Sequence, residues 1–137
     1  MSYIIILISS LASGLLGVII STFYYRRYEE RKIKLDTARR ILGFRYDIRS
    51  EGFTQALNEA FVVFHDSPRV TQALGEFHEV ITLEHSKIAN EKLICLFKAV
   101  CDEVGVAYDA FNDSYFLQPF NPNPETVAQP TAPGGRR

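Results

Sequence analysis

The chain has 137 residues, of which 47% are hydrophobic and 23% are charged, and its formal net charge at pH 7 is −1. That small total hides a split, because residues 26–50 carry nine Lys or Arg against four Asp or Glu, whereas residues 51–125 carry four against twelve. Such an acidic body excludes nucleic acid as a partner, since binding phosphates needs a basic face. The length allows one small domain, typically about 100 residues, beside a separate hydrophobic segment.

Residues 3–25 contain no charged side chain. As a helix that rises about 1.5 Å per residue, they span roughly 35 Å, which is enough to cross a hydrocarbon core of about 30 Å. Aromatic side chains mark both ends of the run, with Tyr3 at the start and Phe23, Tyr24 and Tyr25 at the finish, as is typical of membrane–water interfaces. We therefore predict that residues 1–25 form a transmembrane anchor.

Two other interpretations of the apolar run fit less well. A cleaved signal peptide has a basic start, an apolar core of about 7–15 residues and a small-residue cleavage site, and this run has none of these features. A core helix that is apolar on every face needs a large protein around it, which a chain of 137 residues does not readily supply.

A basic collar follows the apolar run, and no basic residue precedes the run. Because positively charged flanks stay in the cytoplasm, the N-terminus is predicted outside and the rest of the chain in the cytoplasm, at the inner (plasma) membrane. The collar also suits anionic lipid headgroups, so the membrane itself is an expected partner. The collar residues are Arg26, Arg27, Arg31, Lys32 and Lys34.

Small residues fall on one face of the predicted membrane helix. Small side chains four residues apart let a second helix approach closely, which favours association in lipid. The face therefore predicts a homo-oligomer, and it is equally compatible with a partner's membrane helix. The stripe consists of Ser10, Ser13, Gly14, Gly17 and Ser21.

After the anchor, helical periodicity predicts an all-α chain. Residues 26–50 continue the anchor as a basic helical stalk, and residues 51–120 form a small, acidic, antiparallel helical bundle. Ser67 and Pro68 are typical of a helix start, Ser86 is a candidate cap for the next helix, and Gly105 is a natural C-terminal stop. Apolar residues at helical spacing are Phe53, Leu57, Ala60, Phe61 and Phe64 in the first helix, Val70, Leu74, Phe77 and Ile81 in the second, and Ile88, Leu93, Leu96, Phe97, Val100 and Val104 in the third.

An aromatic segment follows Gly105, and a polar tail follows the aromatic segment. The aromatic side chains either fold back to cap the bundle or form an exposed ligand for a partner, and the sequence leaves both open. Residues 121–137 are rich in Pro, Asn, Thr, Ala and Gly, which predicts a disordered tail. The aromatic residues are Tyr108, Phe111, Tyr115, Phe116 and Phe120.

No catalytic or metal-binding pattern is present in the sequence. It lacks a glycine-rich phosphate loop, G-x-S-x-G, H-E-x-x-H and CxxC, so we predict no enzyme activity and no cofactor, although an active site assembled from distant residues stays open. His65, His78 and His85 lack ligand spacing for one metal ion. Cys95 and Cys101 cannot bridge locally on one helix, and we predict that both are small core residues.

Three segments together resemble a family of small uncharacterised bacterial proteins. They are ALNEAFVVFHDSPRV at 56–70, KLICLFKAVCDEVGVAYD at 92–109, and the aromatic–proline end at 115–119. The family has an N-terminal hydrophobic helix and a helical domain of unknown function. The resemblance covers about residues 25–120 and implies an α-helical, single-pass bacterial membrane protein, with no catalytic residues to carry over.

The leading hypothesis is a membrane-tethered protein-interaction or assembly module. In this hypothesis the anchor self-associates or pairs with a partner helix, and the acidic bundle docks an unknown cytoplasmic protein. The alternative is a membrane-perturbing oligomeric effector, related to phage or defence systems, although the span carries no ionisable residue to line a pore.

Overall fold

The computed structural model describes residues 2–83 and 86–118 of the chain. Within these ranges it contains five α-helices and one short 3-10 helix and no strand, which confirms the all-α prediction. The predicted disorder of residues 121–137 falls outside the described residues, as do His85 and Phe120. The helices are α1 (Ser2–Gly43), the 3-10 helix (Phe44–Tyr46), α2 (Glu51–Val63), α3 (Pro68–Thr82), α4 (Ser86–Val104) and α5 (Asp113–Leu117).

α1 is one unbroken helix of 42 residues that joins the apolar run to the folded domain. Every residue from position 2 to position 33 is exposed. Thr37, Ala38 and Ile41, near the opposite end, are buried. The prediction that the anchor continues as a helical stalk is therefore confirmed, and the last turns of this helix lie inside the core of the bundle.

Ion pairs show that neighbouring helices of the bundle run antiparallel. Arg40 pairs with Glu59, and Lys34 pairs with Asp66 just after α2, so the numbering falls along α1 as it rises along α2. The same reversal relates α3 to α4, since Lys92 pairs with Glu76 and Arg69 with Asp102. The last third of α1 and helices α2, α3 and α4 therefore form an antiparallel four-helix bundle, as the sequence predicted.

Aromatic rings dominate the core of this bundle. The rings of Phe53 and Phe97 meet edge to face with centroids 6.4 Å apart, and Phe97 stacks on Phe116 at 6.0 Å. Burying one such side chain contributes about 1.5–3 kcal/mol. The ring contacts therefore connect α2, α4 and α5 through Phe97.

The aromatic segment after Gly105 folds back onto the bundle. Phe116 is buried, Tyr108 contacts it edge to face at 5.9 Å, and the Arg45 guanidinium lies 4.7 Å from the ring centre of Tyr115. Phe111 stacks on Tyr115 at 4.3 Å but stays exposed. Of the two interpretations that the sequence left open, the structure supports capping of the bundle.

The helix ends follow local hydrogen-bonding chemistry. Ser50, which was not among the predicted caps, accepts a hydrogen bond from the Phe53 amide at the start of α2. α3 begins with Pro68 in the first helical turn, as predicted, although the Ser67 side chain makes no capping bond. α4 ends at Val104, and just beyond it the Val106 amide donates to the Cys101 carbonyl and the Gly105 amide to the Asp102 carbonyl. These two bonds form a Schellman motif, which confirms Gly105 as the stop.

The prediction for one of the two cysteines is wrong. Cys101 is buried as expected, and burial raises the pKa of its thiol. Cys95 is exposed. Six positions rotate a helix by about 240°, so the two side chains point to different faces of α4 and only Cys101 faces the core.

Two glycines give opposite predictions for the stability of the fold. Gly105 has φ of +73°, so Gly105→Ala should lower the free energy of unfolding by roughly 1 kcal/mol, because L-residues with a side chain disfavour this conformation. Gly75 lies within α3, where an added Cβ meets no atom within 4 Å, so Gly75→Ala should raise the free energy of unfolding by about 0.8 kcal/mol. Denaturant unfolding of the full chain in detergent measures the free energy of unfolding of both variants. If both variants changed it by the same amount in the same direction, the left-handed conformation of Gly105 would be contradicted.

Candidate functional site: a membrane anchor and an apolar groove

The first functional element is the exposed apolar half of α1. Among the described residues, one helix is long and apolar enough to cross a membrane, and its most apolar window has no buried residue. Its large side chains, including Leu7, Leu11 and Leu15, contact no other part of the domain and are exposed. Because the helix bonds its own backbone groups, this segment meets the requirement that lipid imposes on a spanning chain.

The small-residue stripe lies on this exposed segment. Ser10, Ser13, Gly14, Gly17 and Ser21 lie on one face of the helix, and Ala12 lies on the opposite face. A Cβ added at Gly14 or Gly17 meets no atom within 4 Å. The face is therefore open to the close approach of a second helix, as such stripes allow in lipid.

The collar residues divide into two groups. Arg26, Arg27, Arg31 and Lys32 are exposed in the turns that follow the apolar run. Lys34 instead turns into the domain, and its side chain is only 17% exposed. Lys34 therefore belongs to the base of the bundle, where it joins three segments of the chain.

Lys34 is the centre of an ion-pair cluster at that base. Its ammonium donates to Asp66 Oδ2 at 2.9 Å and to Glu103 Oε1 at 2.8 Å. Hydrogen bonds from Lys34 hold the pKa of both carboxyls below their usual values, and a hydrogen bond with Ser67 adds to the effect on Glu103. Partial desolvation lowers the pKa of Lys34, but the two hydrogen bonds outweigh this effect, so its pKa is raised. The cluster fixes α1 to the α2–α3 turn and to the end of α4.

The second functional element is an apolar groove of about 980 Å³ between α2 and α3. α2 packs mainly on α1 and α3 packs mainly on α4, whereas α2 and α3 contact each other far less. The space between them is therefore open along their length. We call it the α2–α3 groove; its main apolar lining comprises Phe53, Leu57 and Phe61 from α2 and Leu74, Phe77 and Ile81 from α3.

The rims of the α2–α3 groove carry large side chains that the core does not cover. Phe61 is 67% exposed and Ile81 is 50% exposed, although both follow the helical spacing of buried neighbours. Periodicity assigned them to the faces that carry the core residues, and nothing in the sequence signals that α2 and α3 stand apart. Exposed apolar surface is typical of interaction sites, which makes the groove the candidate site.

Among the residues that the structure describes, one charged side chain and no carboxylate line the α2–α3 groove. Arg49 lies at its distal end, beside Ile48, and the other polar lining consists of hydroxyl, amide and imidazole groups. The imidazole is that of His78, which lies in the groove on α3. In the described ranges, no three His, Cys, Asp or Glu side chains form a group that can hold a metal ion. The groove is therefore suited to binding an apolar surface.

Comparison of the chain with models of known protein families, with curated proteins and with solved structures finds no match. The resemblance of residues 25–120 to small bacterial membrane proteins stays a prediction.

Removing the Lys34 ammonium tests the cluster at the base of the bundle. Lys34→Met should lower the free energy of unfolding by roughly 1–2 kcal/mol at pH 7, because it leaves a partly buried Glu103 without its partner. The loss of the Asp66 pair adds little to this change, because solvent screens the more exposed Asp66. Lys32→Met is the matched control, since Lys32 is exposed on the same helix. Thermal or denaturant unfolding of the full chain in detergent measures both variants.

The same variants should differ in their response to pH. Both carboxyls have lowered pKa values, so the stability from the cluster is complete above about pH 5 and is lost as the pH falls through their folded-state values. The raised pKa of Lys34 preserves the cluster on the alkaline side until the pH passes that value. Wild type and Lys34→Met should therefore converge in acid; a constant difference down to pH 2 would contradict the assignment.

Proposed function

We propose that this protein is a single-pass, membrane-anchored interaction module, with the N-terminus outside and the helical domain in the cytoplasm at the inner (plasma) membrane. The observation that carries the proposal is the continuity of α1. Its exposed apolar half is long enough to span a bilayer, and the same helix supplies Thr37, Ala38 and Ile41 to the core of the domain.

The continuity of α1 also favours an anchor over a cleaved signal sequence. The helix runs from Ser2 to Gly43 with no irregular segment after the apolar run. A signal peptidase needs an accessible cleavage segment after the apolar core, and here Arg26 and the residues after it remain helical. The basic side chains of these turns support the cytoplasmic placement of the domain.

Anchoring of this kind holds the domain close to the bilayer. The exposed turns between the apolar run and Lys34 comprise residues 26–33, which rise about 12 Å as a helix. The base of the bundle, with Lys34, Asp66 and Glu103, faces the membrane across this distance. A tether this short raises the effective concentration of the domain toward any partner at the same membrane.

The domain acts by binding in this proposal, and no catalytic step is assigned to it. The support is the α2–α3 groove, which offers aromatic and aliphatic side chains such as Phe61 and Ile81 to a partner. The small-residue stripe adds a second contact within the bilayer, either with another copy of the chain or with the membrane helix of a partner.

Cys95 provides a test of the orientation of the domain. It is exposed on α4 while Cys101 is buried, so a membrane-impermeant maleimide should modify Cys95 alone. In intact bacteria that express the full chain, labelling should be absent and should appear after the membrane is permeabilised. Cys95→Ser is the control for residual labelling. Strong labelling of intact cells, or recovery of the protein in the soluble fraction, would contradict the proposed topology.

Bulky residues on the stripe test association in the membrane. Gly14→Leu/Gly17→Leu should lower the yield of covalent crosslinks from native membranes by about tenfold, because the helices can no longer approach closely. Ala12→Leu, the control, places a leucine on the opposite face and should leave the yield within about twofold, well under the 1.4 kcal/mol that tenfold represents.

The identity of the crosslinked products distinguishes the interaction module from the membrane-perturbing oligomer. Mass spectrometry that finds one other protein, lost in the glycine variant, supports the interaction module. Ladders of the chain alone, together with leakage of a dye from the cells, would instead favour the membrane-perturbing oligomer. Equal crosslinking by the glycine variant and the wild type would show that the stripe is not a contact.

A further inference from the structure

The α2–α3 groove is open along both rims, and this openness favours a long partner over a compact ligand. Small-molecule sites usually enclose about 70–90% of their ligand. Here Phe61 and Ile81 lie on opposite rims and are more than 40% exposed, as is Ile48 at the distal end. A compact ligand at the bottom of the groove would leave these three side chains in water. A long partner that rests on both rims would cover them.

The length of the groove matches a short helix. Its lining on α3 extends from Thr71 to Ile81, ten residue steps that rise about 15 Å. A partner helix of about ten residues, or three turns, has the same length and is about 10–12 Å across with its side chains. Such a helix fills a groove with residues at i, i+3 or i+4, and i+7 on one face.

Charge restricts the partner further. From Lys34 onward, every other basic side chain that the structure describes has an acidic, carbonyl or aromatic partner, whereas the Arg49 guanidinium has none. In the described part of the chain, the hydrogen bond of Arg49 runs from its backbone amide to the Asp47 carboxylate, and its guanidinium takes no part in it. Because Arg49 lines an apolar groove whose described lining includes no carboxylate, it complements an anionic group at one end of the partner.

The bilayer itself does not supply that anionic group. Arg49 lies beyond the end of α1, and Gly43 is eighteen residues past Tyr25, or about 27 Å along the helix axis. With α1 along the membrane normal, the headgroups lie at the collar, far from Arg49. An anionic partner for Arg49 therefore comes from the cytoplasm.

A second copy of the chain fits the groove less well. Two copies anchored in one membrane with the same orientation are related by an axis along the membrane normal, so equivalent residues stay at equal height. Two grooves that faced each other would bring the two Arg49 side chains to one level, and the lining offers neither of them a carboxylate. Like charges at a contact are unfavourable.

The chain's own end is also a poor match. Residues 119–137 include five prolines, and their only large apolar side chains are Phe120 and Val127. Proline in a helix interior costs about 3 kcal/mol, so this segment is not suited to a three-turn helix. It offers two apolar anchors to a groove whose lining presents at least six apolar side chains.

We infer that the α2–α3 groove binds an amphipathic helix of a cytoplasmic partner protein. The helix has about three turns, an apolar face at i, i+3 or i+4, and i+7, and an Asp or Glu at the end that meets Arg49. This inference rests on the proposed function and names the class of partner for it.

Site-specific photo-crosslinking of the full chain in cells tests this inference. A photoreactive residue at Asn58, which is exposed and lines the groove, is activated and the crosslinked peptide is sequenced by mass spectrometry. The expected product is a segment of another protein with the apolar spacing and a terminal carboxylate, not merely some captured protein. A second probe at exposed Cys95 on α4 reports on the domain outside the groove.

Matched variants then separate the groove from its surroundings. Phe61→Asp should lower the Asn58 crosslink about tenfold, since a buried aromatic anchor at an interface typically accounts for at least that factor. Val62→Asp is the control, because Val62 is the next residue, is equally exposed and does not line the groove. Arg49→Glu should also lower the yield about tenfold, and exchange of the partner's carboxylate for Arg should restore it.

The remaining outcomes each overturn the inference. They are an adduct on residues 119–137, on a second copy, on a lipid or on a segment without the apolar spacing, and the absence of any adduct at Asn58. If the Cys95 probe captures a cytoplasmic protein while Asn58 captures none, the interaction module stands and the groove is not its site. If neither probe captures another protein, the proposed function fails as well.

Discussion

The burial of Ala38 and Ile41 is the contact on which the rest of the molecule depends, because these residues lie in the last turns of the helix that begins in the apolar run. A helix that crosses lipid bonds its own backbone and gains nothing from the domain beyond it. The domain, by contrast, needs the last turns of α1 to complete its core. The folded part is therefore built around the last turns of a helix whose other half is apolar and exposed, and the two halves form one continuous element.

At the base of the bundle, ion pairs add to the packing contacts that hold α1 in the domain. The Lys34 ammonium lies between Asp66 and Glu103, where it closes the junction of α1 with the α2–α3 turn and α4. At the distal end, Arg45 lies over the Tyr115 ring and donates to the Leu42 carbonyl, which secures α5 against the 3-10 helix. Both ends are fixed, whereas the side between α2 and α3 is not closed, and this is where the apolar surface remains.

The sequence predicted the helices well because each depends on local signals. Apolar spacing, Pro68 at a helix start and Gly105 at a helix end act within a few residues of the chain. Which faces meet is a nonlocal matter, and there the predictions failed or were silent. The pattern assigned Phe61 and Ile81 to the faces of the core residues and placed Cys95 in the core, because periodicity gives a direction around a helix but not the neighbour in that direction.

Because α1 is unbroken, it also fixes the rotation of the domain about the helix axis relative to the apolar run. Each residue turns a helix by about 100°, so the number of residues between Ser21 and Ala38 sets the angle between the small-residue stripe and the α2–α3 groove. If two chains were joined through their stripes, their two grooves would lie at one fixed angle to each other about the axis of α1. Adding a single residue among positions 26–33 would swing the domain by about 100° and raise it by only about 1.5 Å. The exposed turns of α1 therefore set the rotation of the domain about the helix axis much more than its distance from the apolar run.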